Sequence, residues 1–211
     1  LICYEKSKFI LLGAKKDDDA CQFIDSIKKV FKENKMILDE FGSLINSKKY
    51  KVNANEIEFA NVMYIRAVGS SSSVRGANFK GIRPTTVIAD DYQDEKDILS
   101  DESREKKFNR WSKEIEKVGD TSVYRDGKKV KSATKIISIG TVLHSDCLIS
   151  RLRRNKDYYT VLKRAIILKD NQTVEDILES PLWLECKRLY FNDKDNNAKF
   201  TAKVFYENHI D

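Results

Sequence analysis

Short apolar runs and amphipathic stretches alternate along this chain. Lys8-Phe9-Ile10-Leu11-Leu12 is a short apolar run closed by Gly13, which predicts a buried strand. After the charged stretch Lys15 to Asp19, Ala20, Ile24, Ile27, Val30 and Phe31 recur at helical spacing, so a helix is expected that fades near Asn34. An aspartate at its cap would accept from the free N–H groups and suit the helix dipole. Asn55 to Val68 carries Ile57, Phe59, Val62, Tyr64 and Ile65 and reads as one or two strands with a turn near Ala60-Asn61. Gly69-Ser70-Ser71-Ser72-Ser73 is small and polar, hence a loop.

The second half repeats this order. Thr85-Thr86-Val87-Ile88-Ala89 predicts a buried strand that ends in Asp90-Asp91, and the acidic segment Asp94 to Glu102 follows it. Ser103 to Val118 reads as an amphipathic helix carrying Phe108, Trp111 and Ile115. Val123 to Lys131, with Asp126-Gly127 at its centre, has the signature of a surface β-hairpin. Thr134 to Gly140 is a further strand, leading through Thr141 to a helix start at Ser145-Asp146, with Leu148, Ile149 and Leu152 facing inward. Strand and helix alternating in this way predict an α/β fold: a mostly parallel sheet with helices on both faces. Beyond Tyr158 the pattern changes. Val161 to Leu168 reads as one more strand, Asn171 to Phe191 as helix interrupted at Ser180-Pro181, and Asn192 to Lys199 as exposed and polar. The expected division is a core over residues 1–168 and a terminal region over 169–211, without internal repeats.

Composition narrows the chemistry. At 211 residues, 41% hydrophobic and 34% charged, the chain can bury a sizeable core and reads as soluble and globular. No run approaches the roughly 20 apolar residues of a membrane span. The chain opens on Leu1 without a charged and then apolar leader, so it is expected to be a fragment or trimmed piece. A net charge of +6 suits a polyanionic partner. Cys3, Cys21, Cys147 and Cys186 lack C-x-x-C spacing and read as reduced thiols of a cytosolic protein. With two histidines, His-based metal chemistry is disfavoured; His144, Asp146 and Cys147 lie close together, but a zinc site needs a fourth ligand.

The sharpest candidate chemistry is Asp90-Asp91 at the carboxyl end of a strand, where α/β nucleotide hydrolases hold Mg²⁺ and polarise water. The bland alternative is that both acids cap a turn or helix. A second strand ends at Gly140-Thr141, where a hydroxyl either sits beside a phosphate or simply closes the strand. Lys128, Lys129 and Lys131, and Arg151, Arg153 and Arg154, form two basic clusters able to track phosphates without reading sequence, or else solvated surface. A metal-dependent nuclease would use Asp90, Asp91, Asp94 and Glu95, but adjacent acids on one strand point to opposite faces. A non-catalytic basic DNA-binding module is the remaining alternative. A helicase would carry further nucleic-acid motifs after the second strand, and none is found.

In their order, these pieces resemble the large terminase subunits that package DNA into virus heads. Gly69 through Val74-Arg75-Gly76 resembles the family's loop before the acidic strand. Arg83-Pro84-Thr85-Thr86-Val87-Ile88-Ala89-Asp90-Asp91 resembles its Walker B strand. Lys135 to Thr141, followed by His144-Ser145-Asp146, resembles its coupling motif, and Trp183-x-Glu185 its tryptophan–glutamate element. The resemblance runs from about Lys8 to Tyr206. It implies a P-loop NTPase-like core of the additional-strand type that uses ATP and Mg²⁺, with Asp90 holding the metal. Asp91 would stand where the family has its catalytic acid, often Glu; Arg75 would be presented to a nucleotide, including a neighbouring subunit's; Gly140 and Thr141 would lie at the γ-phosphate. Implied partners are double-stranded DNA, the portal protein, the small terminase subunit and further copies in a ring on the procapsid, in the cytoplasm of an infected or lysogenic bacterial host. Two departures matter. No G-x-x-x-x-G-K-[ST] phosphate loop occurs, and in the family it lies upstream; the family's nuclease domain lies downstream.

Overall fold

Phe9–Ala14 forms β1, and its burial on both faces organises the first part of the protein. The computed structural model describes residues 1–163 and 171–209, and the chain divides into two compact units, Leu1–Tyr159 and Thr160–Asp211. In the first unit, β1 pairs in parallel with β3 (Tyr64–Gly69) on one side and with β4 (Thr86–Asp90) on the other. β7 (Lys135–Ile139) continues the parallel sheet beyond β4, and β2 (Glu56–Glu58) adds an antiparallel edge strand beside β3. The strand order is β2-β3-β1-β4-β7, so the expected α/β, mostly parallel sheet is present.

Strands buried on both faces lose the apolar–polar alternation of half-exposed ones. Phe9 and Leu11 of β1, with Val87 and Ala89 of β4, pack against Trp111, Ile115, Leu148 and Leu152. Ile10 and Ala14, with Ile65 and Ala67 of β3, pack on the opposite face against Ala20 and Ile24. The latter two belong to α1 (Asp17–Glu33). The first face is covered by α3 (Asp101–Arg110), a π-helical turn over Trp111–Ile115, and α4 (Leu148–Arg154). Helices therefore lie on both faces, as the alternating pattern implies.

Three hydroxyls, those of buried Ser7 and Thr86 and half-buried Thr85, fix how β4 lies against β1 at the amino edge of the sheet. Ser7 Oγ lies 2.8 Å from Thr85 Oγ1 and donates to Thr86 Oγ1 at 2.9 Å. Thr85 Oγ1 in turn accepts from the Phe9 N–H at 3.1 Å and donates to the Phe9 carbonyl at 3.0 Å. At the carboxyl edge, the N-cap of α1 is Lys16, whose side chain makes no cap bond, so the expectation of an aspartate cap is corrected. Asp17 to Asp19 fill the first turn, where their charge suits the dipole. Asp17 Oδ1 instead accepts from the Gly69 N–H at 2.7 Å and from Ser72 Oγ at 2.8 Å, tying β3's exit to the start of α1.

Several elements extend the sequence reading. A second helix, α2 (Lys35–Phe41), follows α1, with the Asn34 side chain accepting from Ile37 N–H at its start. The helix expected from Ser103 begins at Asp101 behind a Ser100 cap and widens into the π-helical turn at Trp111. β5 (Val123–Arg125) and β6 (Lys128–Lys131) form the expected hairpin, with positive φ at both Asp126 and Gly127, as a type I′ turn requires. The second unit contains α5 (Val174–Leu178), α6 (Pro181–Tyr190) and α7 (Ala198–Glu207). Ser180 caps α6 with Pro181 in its first turn, which is the interruption read from Ser180-Pro181. α7 occupies the end of the segment read as polar and exposed. The strand expected over Val161–Leu168 lies outside the described residues from position 164 onward, and 161–163 have no regular structure. Among the described residues no helix is long and apolar enough to cross a membrane.

Gly69 allows the β3–α1 junction to close. A Cβ there would lie 2.5 Å from Asp17 N and 2.7 Å from Lys16 C, both backbone atoms. Gly69→Ala is expected to destabilise the first unit by about 1–3 kcal/mol, read as a lower urea midpoint at unchanged slope.

Candidate functional site

Parallel pairing of β4 with β7 sets Asp90 opposite Ile139, and the Asp91 N–H extends the ladder by donating to the Ile139 carbonyl at 3.0 Å. The backbone then turns sharply, since Asp91 has φ +41°. Left-handed backbone at a non-glycine residue is uncommon, though aspartate tolerates it better than most, and it is enriched where function demands it. Asp90 is half-buried and Asp91 exposed. Among the described residues neither carboxylate has a hydrogen-bond or ion-pair partner.

Asp90 and Asp91 line a cleft of about 360 Å³, together with Lys15 after β1 and Asp19 of α1. The turn at Asp91 ends strand alternation, so the two adjacent acids share this cleft, where a continuing strand would send them to opposite faces. The cleft lies where the chain leaves β1 toward β3 and leaves β4 toward β7, in opposite directions. Open α/β sheets place ligands at such switch points. On its other side Asp91 meets Gly140: a Cβ on that glycine would stand 3.4 Å from Asp91 Oδ1. Asp91, Gly140 and Thr141 line one small pocket, with Gly140 and Thr141 solvent-exposed.

Asp90, Asp91, Gly140 and Thr141 are thus brought together, and Arg75 is not among them. It is exposed on the loop between β3 and β4 and borders neither the cleft nor the pocket. Its neighbour Val74 is buried and donates its N–H to Glu114 Oε2 at 3.2 Å, which anchors the loop and leaves Arg75 outside. Arg83 lies at the amino end of β4, where its guanidinium donates to the Gly119 carbonyl at 3.2 Å. Asp94 is occupied in a capping box with Asp97, so Asp94 and Glu95 do not extend the acid pair. Among the described residues no three His, Cys, Asp or Glu side chains converge to hold a metal.

Lys107 is the group that sequence reasoning missed. Its ammonium is buried and lies 2.7 Å from Asp97 Oδ2, donates to Ser70 Oγ at 2.7 Å and to the Tyr92 carbonyl at 3.2 Å, and sits 5.2 Å over the Tyr92 ring. It joins the segment leaving β3 to the segment leaving β4, directly behind Asp91. The available signal was its position: Lys107 lies four residues before Trp111 and eight before Ile115, on what is otherwise the helix's apolar face. Neutralising and shortening it in Lys107→Ala would strand Asp97 and is expected to cost about 1–3 kcal/mol, measured by urea unfolding.

The two basic clusters differ. Arg151 forks onto Asp146 at 3.2 and 2.7 Å, donates to Glu105 at 2.6 Å and covers the Phe108 ring, while Arg154 donates to Asp146 at 2.8 Å. Arg151 ties α4 to α3, while Arg154 holds to the turn before α4; Arg153 alone of the three is exposed and without an ion pair among the described residues. Lys128, Lys129 and Lys131 lie on β6, where every residue is exposed. His144 Nδ1 accepts from the Asp146 N–H at 3.0 Å and Cys147 Sγ lies 3.4 Å from Ser150 Oγ, so these side chains are used within their own turn. All four cysteines are free thiols.

Hydrogen bonding to Arg151, reinforced by Arg154, holds the Asp146 carboxyl down at about 2 against an ordinary 3.8. A depressed folded-state value means that its stabilisation is complete above the ordinary value and is lost as pH falls through the depressed one. Asp146→Asn should therefore lower stability at neutral pH and flatten its decline between about pH 4 and 2, as read from urea midpoints across that range.

Compared with protein-family models and with curated proteins, the chain matches none.

Proposed function

We propose that this chain is the central part of an ATP-hydrolysing motor that moves double-stranded DNA, of the kind terminase large subunits form. One observation carries this reading: two carboxylates without a partner among the described residues leave the end of β4 through a left-handed turn, beside an exposed Gly140-Thr141 at the end of the parallel neighbour strand. The donor set suits Mg²⁺, which is held by one or two carboxylates and keeps several waters. When bound with ATP, the ion would neutralise charge on the β- and γ-phosphate oxygens. Asp90 holds the ion on this reading, and Asp91 orients the attacking water and takes its proton. On this reading the Thr141 hydroxyl would report loss of the terminal phosphate along β7.

Among the described residues no strand pairs with the outer edge of β7, and this supports the same reading. Ile137 and Ile139 are 44% and 54% exposed on the last strand of the sheet. An apolar strand with an unpaired edge is a template for another strand. A strand laid parallel there would end beside Gly140, Thr141 and Asp91, where a phosphate-binding loop is required and residues 1–211 contain no such motif. Arg75, exposed and bordering neither the cleft nor the pocket of Asp90 and Asp91, suits a role toward a neighbouring copy's nucleotide; guanidinium is permanently charged and bidentate toward phosphate oxygens.

The test is ATP hydrolysis, with and without duplex DNA, by the polypeptide that joins residues 1–211 to a phosphate loop. Hydrolysis should rise with DNA, and Asp91→Asn should lower its kcat by about 10²-fold or more with nucleotide affinity retained. Hydrolysis that is absent, or indifferent to Asp91, would hand the chain to the DNA-binding module or the metal-dependent nuclease. Arg75→Ala should lose about 10³-fold on its own and regain activity when mixed with Asp91→Asn subunits. Failure of that mixture to recover would argue against a role for Arg75 toward a neighbouring subunit.

A further inference from the structure

The β5–β6 hairpin has no place in the core. Every residue of both strands is exposed, including Tyr124 at 59% and Val130 at 57%. A lone two-stranded hairpin is marginal in water, so its retention without packing asks for another reason.

The hairpin is nevertheless held firmly at its base. Thr134 Oγ1 donates to the Pro84 carbonyl at 2.6 Å and accepts from the Asp120 N–H at 2.9 Å, and the Thr134 N–H donates to the Asp120 carbonyl at 2.9 Å. Gly119 permits the approach, since a Cβ there would lie 1.9 Å from Thr134 Oγ1. The anchor is at the amino ends of β4 and β7. The hairpin therefore stands at the opposite edge of the sheet from Asp90 and Asp91, a β4 length or roughly 15 Å away.

Its charges are arranged in a specific way. Arg125 pairs across the ribbon with Lys128, and Tyr124 with Lys129. Successive strand residues face opposite ways, so Arg125 and Lys128 occupy one face and Lys129, whose ammonium lies 5.7 Å over the Tyr124 ring, the other. Lys131 is paired to Asp120 at 2.6 Å; among the described residues Arg125, Lys128 and Lys129 have no carboxylate partner. Cations on both faces suit a slot with negative walls on either side. A flat anionic membrane would be met by one face, and the Asp126 at the tip opposes insertion into lipid.

We infer that the β5–β6 hairpin enters a groove of duplex DNA as a two-stranded ribbon, with Arg125 and Lys128 meeting one phosphate wall and Lys129 the other. The major groove admits such a ribbon. This rests on the motor reading only in taking DNA as the polyanion. It assigns the grip to the hairpin and not to Arg151 and Arg154 of α4, which are committed to Asp146 and Glu105.

The experiment is fluorescence anisotropy of a short labelled duplex of arbitrary sequence with the 211-residue chain, at about 50 and 200 mM salt. Binding should weaken steeply with salt, and Arg125→Glu with Lys128→Glu should weaken it by about tenfold or more. Lys48→Glu with Lys49→Glu, an equal charge change on an exposed loop elsewhere, should change it by less than about threefold. Lys128→Ala with Lys129→Ala should reduce the salt slope by about two. Circular dichroism checks that each variant keeps the fold. Equal losses from the hairpin and loop pairs, no duplex binding at the lower salt, or preference for phosphatidylserine vesicles over duplex would each overturn the assignment. ATP hydrolysis is not read here, so its absence in the motor test leaves this result standing, and the reverse also holds.

Discussion

Everything at the carboxyl edge of the sheet depends on how β4 is held in register at the amino edge. Ser7, Thr85 and Thr86 exchange hydroxyl hydrogen bonds there with one another and with the Phe9 backbone. Thr134 adds a bond to Pro84 from the β7 side. A parallel strand without such pins could slip, and a slip of one residue would send every side chain to the other face. With them in place, five residues later, Asp90 and Asp91 emerge beside Gly140. Polar groups buried at one end of the sheet thus set the position of charged groups released at the other.

The same strands separate two kinds of electrostatics. The carboxyl edge collects Asp19, Asp90 and Asp91 around an open cleft, whereas the amino edge carries the basic hairpin. Two negatively charged ligands, one bound through a cation and one through arginine and lysine, would not compete for this surface. β7 connects them covalently, running from beside the hairpin's anchor at Thr134 to just before Gly140-Thr141. Movement of its end by a bound nucleotide would have a direct mechanical path to the hairpin. This follows from topology and needs no side-chain relay.

How far this was legible in the sequence varied with the range of the interactions involved. β1 and β4 were readable because strands buried on both faces leave nearly continuous apolar runs, and β3 because its run is broken only by Arg66. The hairpin was readable because Asp126-Gly127 can adopt the two positive φ values that its turn needs, and the break before α6 because Ser180-Pro181 is a cap followed by a first-turn proline. The aspartate expected to cap α1 was misplaced, since Asp17 is spent 52 positions away on Gly69. α2 and α7 lacked clear stop and start signals around them. Adjacency of Asp90-Asp91 to Gly140-Thr141 was an expectation from order alone; the parallel register supplies it. The commitment of Arg151 to Asp146 and Glu105 was invisible, because a run of arginines looks the same whether solvated or paired.

Lys107 has one more consequence. Among the described lysines it alone is buried, and its amine is enclosed by Asp97, Ser70 and the Tyr92 carbonyl at the junction of the two segments that flank the acid pair. An amine-reactive reagent would modify the exposed lysines at rates set by encounter, but Lys107 only when that junction opens. Its labelling kinetics, resolved by peptide mass spectrometry, would make this one side chain an intrinsic clock for local opening behind Asp91. Comparing that clock with global unfolding would show whether the neighbourhood of the acids breathes on its own or only with the whole sheet.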